Sequence, residues 1–298
     1  MTPDFSIILP TFNRGNRIDK AINSVLSQSV VNWELIIIDD GSTDNTKAVC
    51  QQFEDRRITY VYQQNSERSA ARNNGIALAK GKYIGFLDSD DTYSPSFLEK
   101  VQLKTKELTS PSLLFTGLSV NHKNNITHQP IPDMNTLLPK EFLLIHSMAT
   151  PRAIVHIECF QKALFPVNIS IGEDRHLWVQ LASYFPVEFC PEAVVVQNDY
   201  GDRSIASLRA IKENYLSLCA TIQTEEGQTL NAKIVAKAKG RALLNLARWH
   251  IHNQNRIHSI FYMYRSIFIA PFDQGRFKVN LLLRLLLMFP FSSIKTLF

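Results

Sequence analysis

Cysteine is scarce in this chain, and the four present, Cys50, Cys159, Cys190 and Cys219, lie far apart. No Cys-x-x-Cys pair or Cys/His cluster occurs, which excludes a disulfide framework and leaves structural zinc without ligands at a workable spacing. A Gly-x-Gly-x-x-Gly turn after the first strand-like segment is also missing, so a Rossmann dehydrogenase is excluded. No apolar run reaches the roughly 18–20 residues that a bilayer-spanning helix needs. The most apolar stretch, Leu281–Phe291, falls well short of that length and is interrupted by Arg284. The start, Met1-Thr2-Pro3-Asp4, has neither the basic nor the apolar region of a secretory leader, so the chain is expected to stay in the cytoplasm.

What is present is globular. The 298 residues are 45% hydrophobic and 20% charged, ample for a packed core. The net charge of +5 hides an asymmetry, because residues 1–202 carry −5 and residues 203–298 carry +10. The chain is therefore expected to divide into an acidic unit, 1–202, and a basic helical region, 203–298. A basic half of this kind suggests an anionic partner, nucleic acid or membrane headgroups. Phe261, Tyr262, Tyr264 and Phe268 fall at helical spacing and are expected to face the core rather than stack on bases, so nucleic acid is excluded. Leu281–Phe291, with Arg276, Lys278, Arg284 and Lys295 around it, suits a helix lying in an anionic membrane interface, or one docked on the rest of the chain.

The first 120 residues alternate short β-rich runs with helical stretches. Phe5–Leu9, Glu34–Asp39, Ile58–Tyr62 and Tyr83–Asp88 read as strands, and Arg17–Ser27, Thr43–Phe53 and Ser69–Lys80 as crossover helices. This order predicts a doubly wound α/β domain whose ligand sits beyond the carboxyl ends of the strands. A helix is expected over Pro95–Leu108, strands near Leu113–Val120, Ala153–His156 and Val187–Gln197, and a helix from Gly172 to Tyr184. Asn121–Pro139 reads as loops or a hairpin. From Ile205 onward the pattern is helical, with breaks at Gly227 and at Asn253 to Asn255.

Acidic residues gather where strands end, in Asp39-Asp40-Gly41-Ser42-Thr43-Asp44 and in Asp88-Ser89-Asp90-Asp91. Two carboxylates one residue apart at a strand end can reach a divalent cation that bridges phosphate oxygens, which is hard-oxygen chemistry of the Mg2+ or Mn2+ type. Asp39 and Asp44 read as turn and helix-cap residues. His176 and Trp178 read as packing.

Five segments in order, Ser6–Arg14, Glu34–Asp44, Ser69–Gly75, Phe86–Asp91 and Gly172–Trp178, resemble the family 2 glycosyltransferases. The resemblance covers roughly residues 4–200. It implies a GT-A type, Rossmann-like nucleotide-binding domain with a mixed, mainly parallel sheet, followed by a helical C-terminal region. It also implies inverting transfer of a sugar from a nucleotide-sugar donor, usually a UDP-sugar, to a glycan or lipid-linked acceptor. By that likeness Pro10, Thr11, Asn13, Arg14 and Asp40 would contact the nucleotide, together with Arg72, Asp88 and Ser89. Asp90 would bind the metal, Mn2+ or Mg2+. Asp174, with Glu173 as the alternative, would be the base that takes the acceptor's proton. Arg203, in a segment that matches the family only partly, would be a further diphosphate contact. The Gln-x-x-Arg-Trp motif and transmembrane helices of the processive relatives are missing, since Arg248-Trp249 is preceded by Asn245, so single addition is expected. Two alternatives are a nucleotidyltransferase, which would show a Gly-rich basic loop after the first strand, and a non-catalytic sugar-binding relative. The second would be expected to lose Asp90 or the Glu173-Asp174 pair, and both are intact.

Overall fold

A computed structural model describes residues 2–122, 125–134, 136–199 and 207–271, and beyond them 273–274, 278–279 and 281–282. In chain order the elements are β1 (Phe5–Thr11), α1 (Ile18–Leu26), β2 (Trp33–Asp39), α2 (Thr46–Cys50), β3 (Ile58–Tyr62), α3 (Glu67–Leu78) and β4 (Tyr83–Phe86). There follow β5 (Asp91–Tyr93), α4 (Phe97–Lys106), β6 (Leu113–His122), β7 (Asn125–Gln129), α5 (Pro139–Ile145), β8 (Ala153–His156), α6 (Glu173–Leu181) and β9 (Val187–Asn198). The chain then becomes helical in α7 (Leu208–Gln223), α8 (Glu225–Gln228), α9 (Ala232–His252) and α10 (Arg256–Ile269).

The sheet runs β3-β2-β1-β4-β8-β6-β9-β5, with β7 paired to β6. The pairings set six strands, β1, β2, β3, β4, β6 and β9, in one direction and β5, β7 and β8 against them. The order 3-2-1-4 places β2 and β4 on opposite sides of β1, so the crossovers diverge and leave a crevice at the carboxyl ends of β1 and β4. Both acidic strand ends read from the sequence flank it. The expected sheet is thus present, and Asn121–Pro139 begins as a hairpin between β6 and β7.

Strands covered on both faces are apolar at most positions, and their side chains alternate between two cores. Ile7, Leu9, Leu35 and Ile37 pack with Ile18, Ala21, Ile22 and Val25 of α1 and with Phe97, Leu98 and Val101 of α4. Ile8, Ile84 and Phe86 face the other way, onto Phe142 and Leu143 of α5 and Leu177, Trp178 and Leu181 of α6. Leu218, Leu230 and Ala238, from the helical region, belong to this second core. Trp178 is buried there and donates to Met148 O at 2.9 Å, so it packs as expected.

Two expectations about the helical region are corrected. Gly227 is buried inside α8, and the breaks fall at Thr224 and at Thr229 to Asn231 instead. Thr224 caps α8 by accepting from Gly227 N, and Asn231 caps α9 by accepting from Lys233 N, so hydroxyl and amide caps rather than glycine punctuate the chain. Phe261, Tyr264 and Phe268 do not face the core. Helix α10 buries Ser259, Met263 and Ser266, and the aromatics project from its other side. Their helical spacing was real, but small serines flanking Met263 form a narrower contact face than the aromatic period suggests. Among the described residues no helix is long and apolar enough to cross a membrane. Most of Leu281–Phe291, and Arg276, Arg284 and Lys295, lie outside the described residues.

One close approach positions the site. A Cβ built on Gly75 of α3 would stand 2.4 Å from Ile8 Cγ2, and Ile8 is fully buried in the central strand. Gly75→Ala is expected to cost about 1–3 kcal/mol by overpacking, measured as a lowered urea midpoint with an unchanged m-value.

Candidate active site

The crevice opens as a cleft of about 680 Å3. Pro10, Thr11, Phe12 and Arg14 enter it from the end of β1, Asp40 from the end of β2, Ala71 and Arg72 from α3, and Asp88, Ser89, Asp90 and Asp91 from the segment after β4. Eight of the residues expected to hold nucleotide or metal therefore converge: Pro10, Thr11, Arg14, Asp40, Arg72, Asp88, Ser89 and Asp90. Asn13 does not line the cleft. Its backbone is left-handed, with φ 52°, and its Oδ1 accepts from Thr43 N at 2.8 Å, tying the end of β1 to the loop after β2. Asp39 and Asp44 act in the same loop, accepting from Ser42 N at 2.8 Å and Thr46 N at 2.9 Å. Arg203 lies outside the described residues.

Asp40 is almost fully buried, and its Oδ1 accepts from Gln63 Nε2 at 2.7 Å and Ser66 N at 2.8 Å. These bonds fix the loop that carries Asn65, and the start of α3 that carries Glu67 and Arg68, beside the cleft. The Thr11 hydroxyl is buried and has no hydrogen-bond partner among the described residues, a donor and acceptor available to a ligand. The Asp88–Asp91 turn closes with a bond from Asp91 N to Asp88 O at 3.0 Å. Asn198, at the end of β9, donates to Asp90 O at 3.0 Å, and Tyr93 Oη donates to Phe86 O at 2.8 Å.

Arg72 joins the cleft to α6. Its guanidinium is 3% exposed, with Nη2 3.0 Å from Asp88 Oδ1 and Nη1 2.9 Å from Glu173 Oε1. Burial works against its charge, but the two carboxylates outweigh burial and hold its pKa above the ordinary value. Phe165 lies beneath it, with the ring centroid 5.3 Å from the guanidinium carbon.

Glu173 and Asp174 do not line the cleft directly. They begin α6, whose N-cap, Gly172, adopts φ 82°, a conformation open to glycine at little cost. Glu173 is buried against Arg72. Asp174 is half-buried, and its Oδ1 accepts from Arg175 N at 2.6 Å. Burial, and then the charge of Glu173, raise the Asp174 carboxyl to about 6. Helix α7 holds this turn from behind, because Ser217 Oγ donates to Gly172 O at 3.0 Å and Arg175 Nη2 donates to Asn214 O at 2.8 Å.

Asp91, the last of the acidic run read after β4, also lines the cleft, as do Asn65, Glu67, Arg68 and Gln197, which were not picked out in the sequence. Glu67 and Arg68 immediately precede the Ser69–Gly75 segment and carry no spacing signal. Gln197 arrives only because β9 pairs with β5, opposite Asp91.

Comparison with known proteins identifies the fold and the family. The fold is GT-A. Residues 6–158 match the family model "Glycosyl transferase family 2", and the chain belongs to that family. Over 186 residues, 60% of this chain and 30% of its relative, it is 38% identical to the glycosyltransferase RC0461 of Rickettsia conorii. Over 122 residues, 41% of this chain and 48% of the other, it is 36% identical to WfgD of Escherichia coli, a UDP-Glc:alpha-D-GlcNAc-diphosphoundecaprenol beta-1,3-glucosyltransferase. The chain thus aligns with less than half the length of these curated relatives. Among solved structures, S. aureus TarS 1–349 in complex with UDP-GlcNAc superposes with a TM-score of 0.66 at 15% identity, covering 90% of this chain and 82% of that one. The mannosyltransferase PcManGT of Pyrobaculum calidifontis, in complex with GDP-Man and Mn2+, gives 0.59 at 17% identity, covering 99% and 84%.

Removing one member of a buried charge pair leaves the other uncompensated. Arg72→Met is expected to destabilise the fold by about 3–5 kcal/mol, and Glu173→Gln in the same chain is expected to recover part of that loss. A double-mutant cycle by urea unfolding should show coupling above about 1 kcal/mol.

Proposed function

We propose that this chain is an inverting, non-processive glycosyltransferase that moves a sugar from a nucleotide-sugar donor, a UDP-sugar in this reading, to a hydroxyl of a glycan or lipid-linked acceptor. The observation that carries the reading is the Arg72 bridge. It links Asp88, in a cleft built at the switch point of the sheet, to the helix turn that bears Asp174. The UDP-GlcNAc held by TarS supports the donor class, and the diphosphoundecaprenol acceptor in WfgD's name supports a lipid-linked acceptor and work at the cytoplasmic face of the cell envelope.

In this reading Thr11 and Asp40 meet the nucleoside, and Pro10, Arg14 and Ser89 shape the nucleotide's bed. Arg72 and Asp88 hold the wall between nucleotide and acceptor. A divalent cation, Mn2+ or Mg2+, fits the donor set: Asp90 and Asp88 present hard oxygens in the cleft, and Asp88 already spends one oxygen on Arg72. Among the described residues no three His, Cys, Asp or Glu side chains gather to hold an ion. The remaining ligands would be diphosphate and water, as these cations prefer. When bound, the cation offsets the negative charge that grows on the departing diphosphate.

The acceptor hydroxyl is a poor nucleophile until a base takes its proton. Asp174 is the better base of the two acids. Glu173 is committed to Arg72, and accepting a proton there would break the buried bridge. Asp174 Oδ1 is held by Arg175 N, which leaves Oδ2 to take the proton as the acceptor oxygen bonds to the anomeric carbon and the bond to the diphosphate breaks. A base raised to about 6 is charged at neutral pH and titrates just below it.

The test is nucleoside diphosphate release from a panel of nucleotide sugars with Mn2+ or Mg2+. Asp174→Asn is expected to lower kcat by about 10²–10⁴ while donor binding persists, and Asp90→Ala to weaken metal-dependent donor binding. Because the base must be deprotonated, kcat/KM should fall as pH drops through about 6. A chain that binds and cleaves no donor, with Asp90→Ala indistinguishable from the parent, would falsify the proposal.

A further inference from the structure

Helix α10 is apolar on two opposite faces. Met263 packs with Leu244, Ala247 and Ile251 of α9, and Ser259 and Ser266 are buried beside it. On the far side Ile257, Phe261, Tyr264 and Phe268 are 81%, 51%, 62% and 79% exposed. At 3.6 residues per turn these four positions fall within a sector of about 60°, nearly opposite the buried face, in a stripe about 16 Å long. Scattered exposed apolar residues are ordinary, but an aligned stripe with three aromatics is the mark of a contact surface.

Charge selects the partner. Helix α10 contains Arg256, His258 and Arg265 and no acidic residue. Arg265 is exposed beside the stripe, its guanidinium carbon 5.5 Å from the Phe261 ring centroid, an apolar stem against an aromatic with the charge kept outward. Residues 203–298 carry +10 as a whole. A second copy of the chain would set this cationic face against itself, so it is the poorer fit. A straight apolar stripe edged by cations matches a flat surface with an acyl boundary beneath anionic headgroups.

We propose that the Ile257-Phe261-Tyr264-Phe268 stripe of α10 lies in the interface of an anionic lipid bilayer. This surface is separate from the cleft, and the proposal stands whether or not the chemistry assigned there is correct.

The experiment uses the full chain with phosphatidylcholine vesicles, with and without phosphatidylglycerol. Cosedimentation is expected with the anionic vesicles and to weaken in high salt. Phe261→Ser/Phe268→Ser should lower the partition coefficient by roughly tenfold or more, and Arg265→Glu should weaken binding to the anionic vesicles selectively. Both variants replace exposed side chains, so thermal unfolding and donor cleavage should match the parent. Tyr264→Trp should gain blue-shifted emission that brominated lipid quenches. Four results overturn the proposal. They are a parent that ignores both vesicle types, a double variant that binds as the parent does, Tyr264→Trp emission already blue-shifted without lipid because the chain covers its own stripe, and light scattering that shows a dimer dissolved by the double variant.

Discussion

Arg72 keeps a full charge in a place almost closed to water, and the surrounding elements are arranged so that it can. Asp88 reaches it from the end of β4 and Glu173 from the first turn of α6, two positions that lie 85 residues apart in the chain. A buried guanidinium costs several kcal/mol to desolvate, and only close, well-directed carboxylates offset that cost. The bridge therefore constrains three elements at once. Gly75, three residues along α3, makes the geometry attainable, because its missing side chain lets α3 settle on Ile8 of β1. Asn73 adds a second tie, donating to Phe165 O at 2.8 Å and accepting from Phe165 N at 3.0 Å, which holds the Phe165 ring beneath the guanidinium.

The same constraint assigns different tasks to two adjacent acids. Glu173 is consumed by the bridge, while Asp174 sits beside a like charge in a poorly solvated turn and is raised toward neutrality. Neither environment is local to α6. Gly172 and Arg175, which flank the pair, are held by Ser217 and Asn214 of α7, and His176 Nδ1 stands 3.1 Å from Thr221 Oγ1 of the same helix. The helices after residue 207 thus shape the electrostatics of the cleft as well as filling the core through Leu218, Leu230 and Ala238.

The sheet was legible because its signal is periodic and short-range. Strands buried on both faces read as nearly continuous apolar runs, and parallel neighbours need crossovers of a dozen residues. The end of β1, the acids after β2 and the Asp88–Asp91 turn were legible for a related reason: in a doubly wound sheet, strand ends meet at one edge. Gln197 was not legible, because its place depends on β9 crossing the sheet to pair with β5, a long-range choice that local pattern does not carry. Asn13 shows the converse case. It stands within a nucleotide-side motif, but its left-handed backbone turns its amide onto Thr43 N, so it shapes the loop instead of lining the cleft. The aromatics of α10 mislead in another way, since helical spacing reports that residues share a face without saying which face is buried.

These packing relations give the outer stripe a mechanical connection to the cleft. Helix α7 clamps α6 and packs on α9, and α9 carries α10 through Leu244, Ala247 and Ile251. A surface held at α10 would therefore fix the orientation of Asp174 and of the cleft mouth, because no described linker longer than the three-residue turn Asn253 to Asn255 separates α9 from α10. For an acceptor anchored in lipid, an enzyme so oriented would meet its substrate in two dimensions rather than three. The charge is unevenly placed along the chain, +10 over residues 203–298 and −5 over residues 1–202: α10 carries cations and no acidic residue, while the first unit brings Asp40 and the Asp88–Asp91 carboxylates to the cleft.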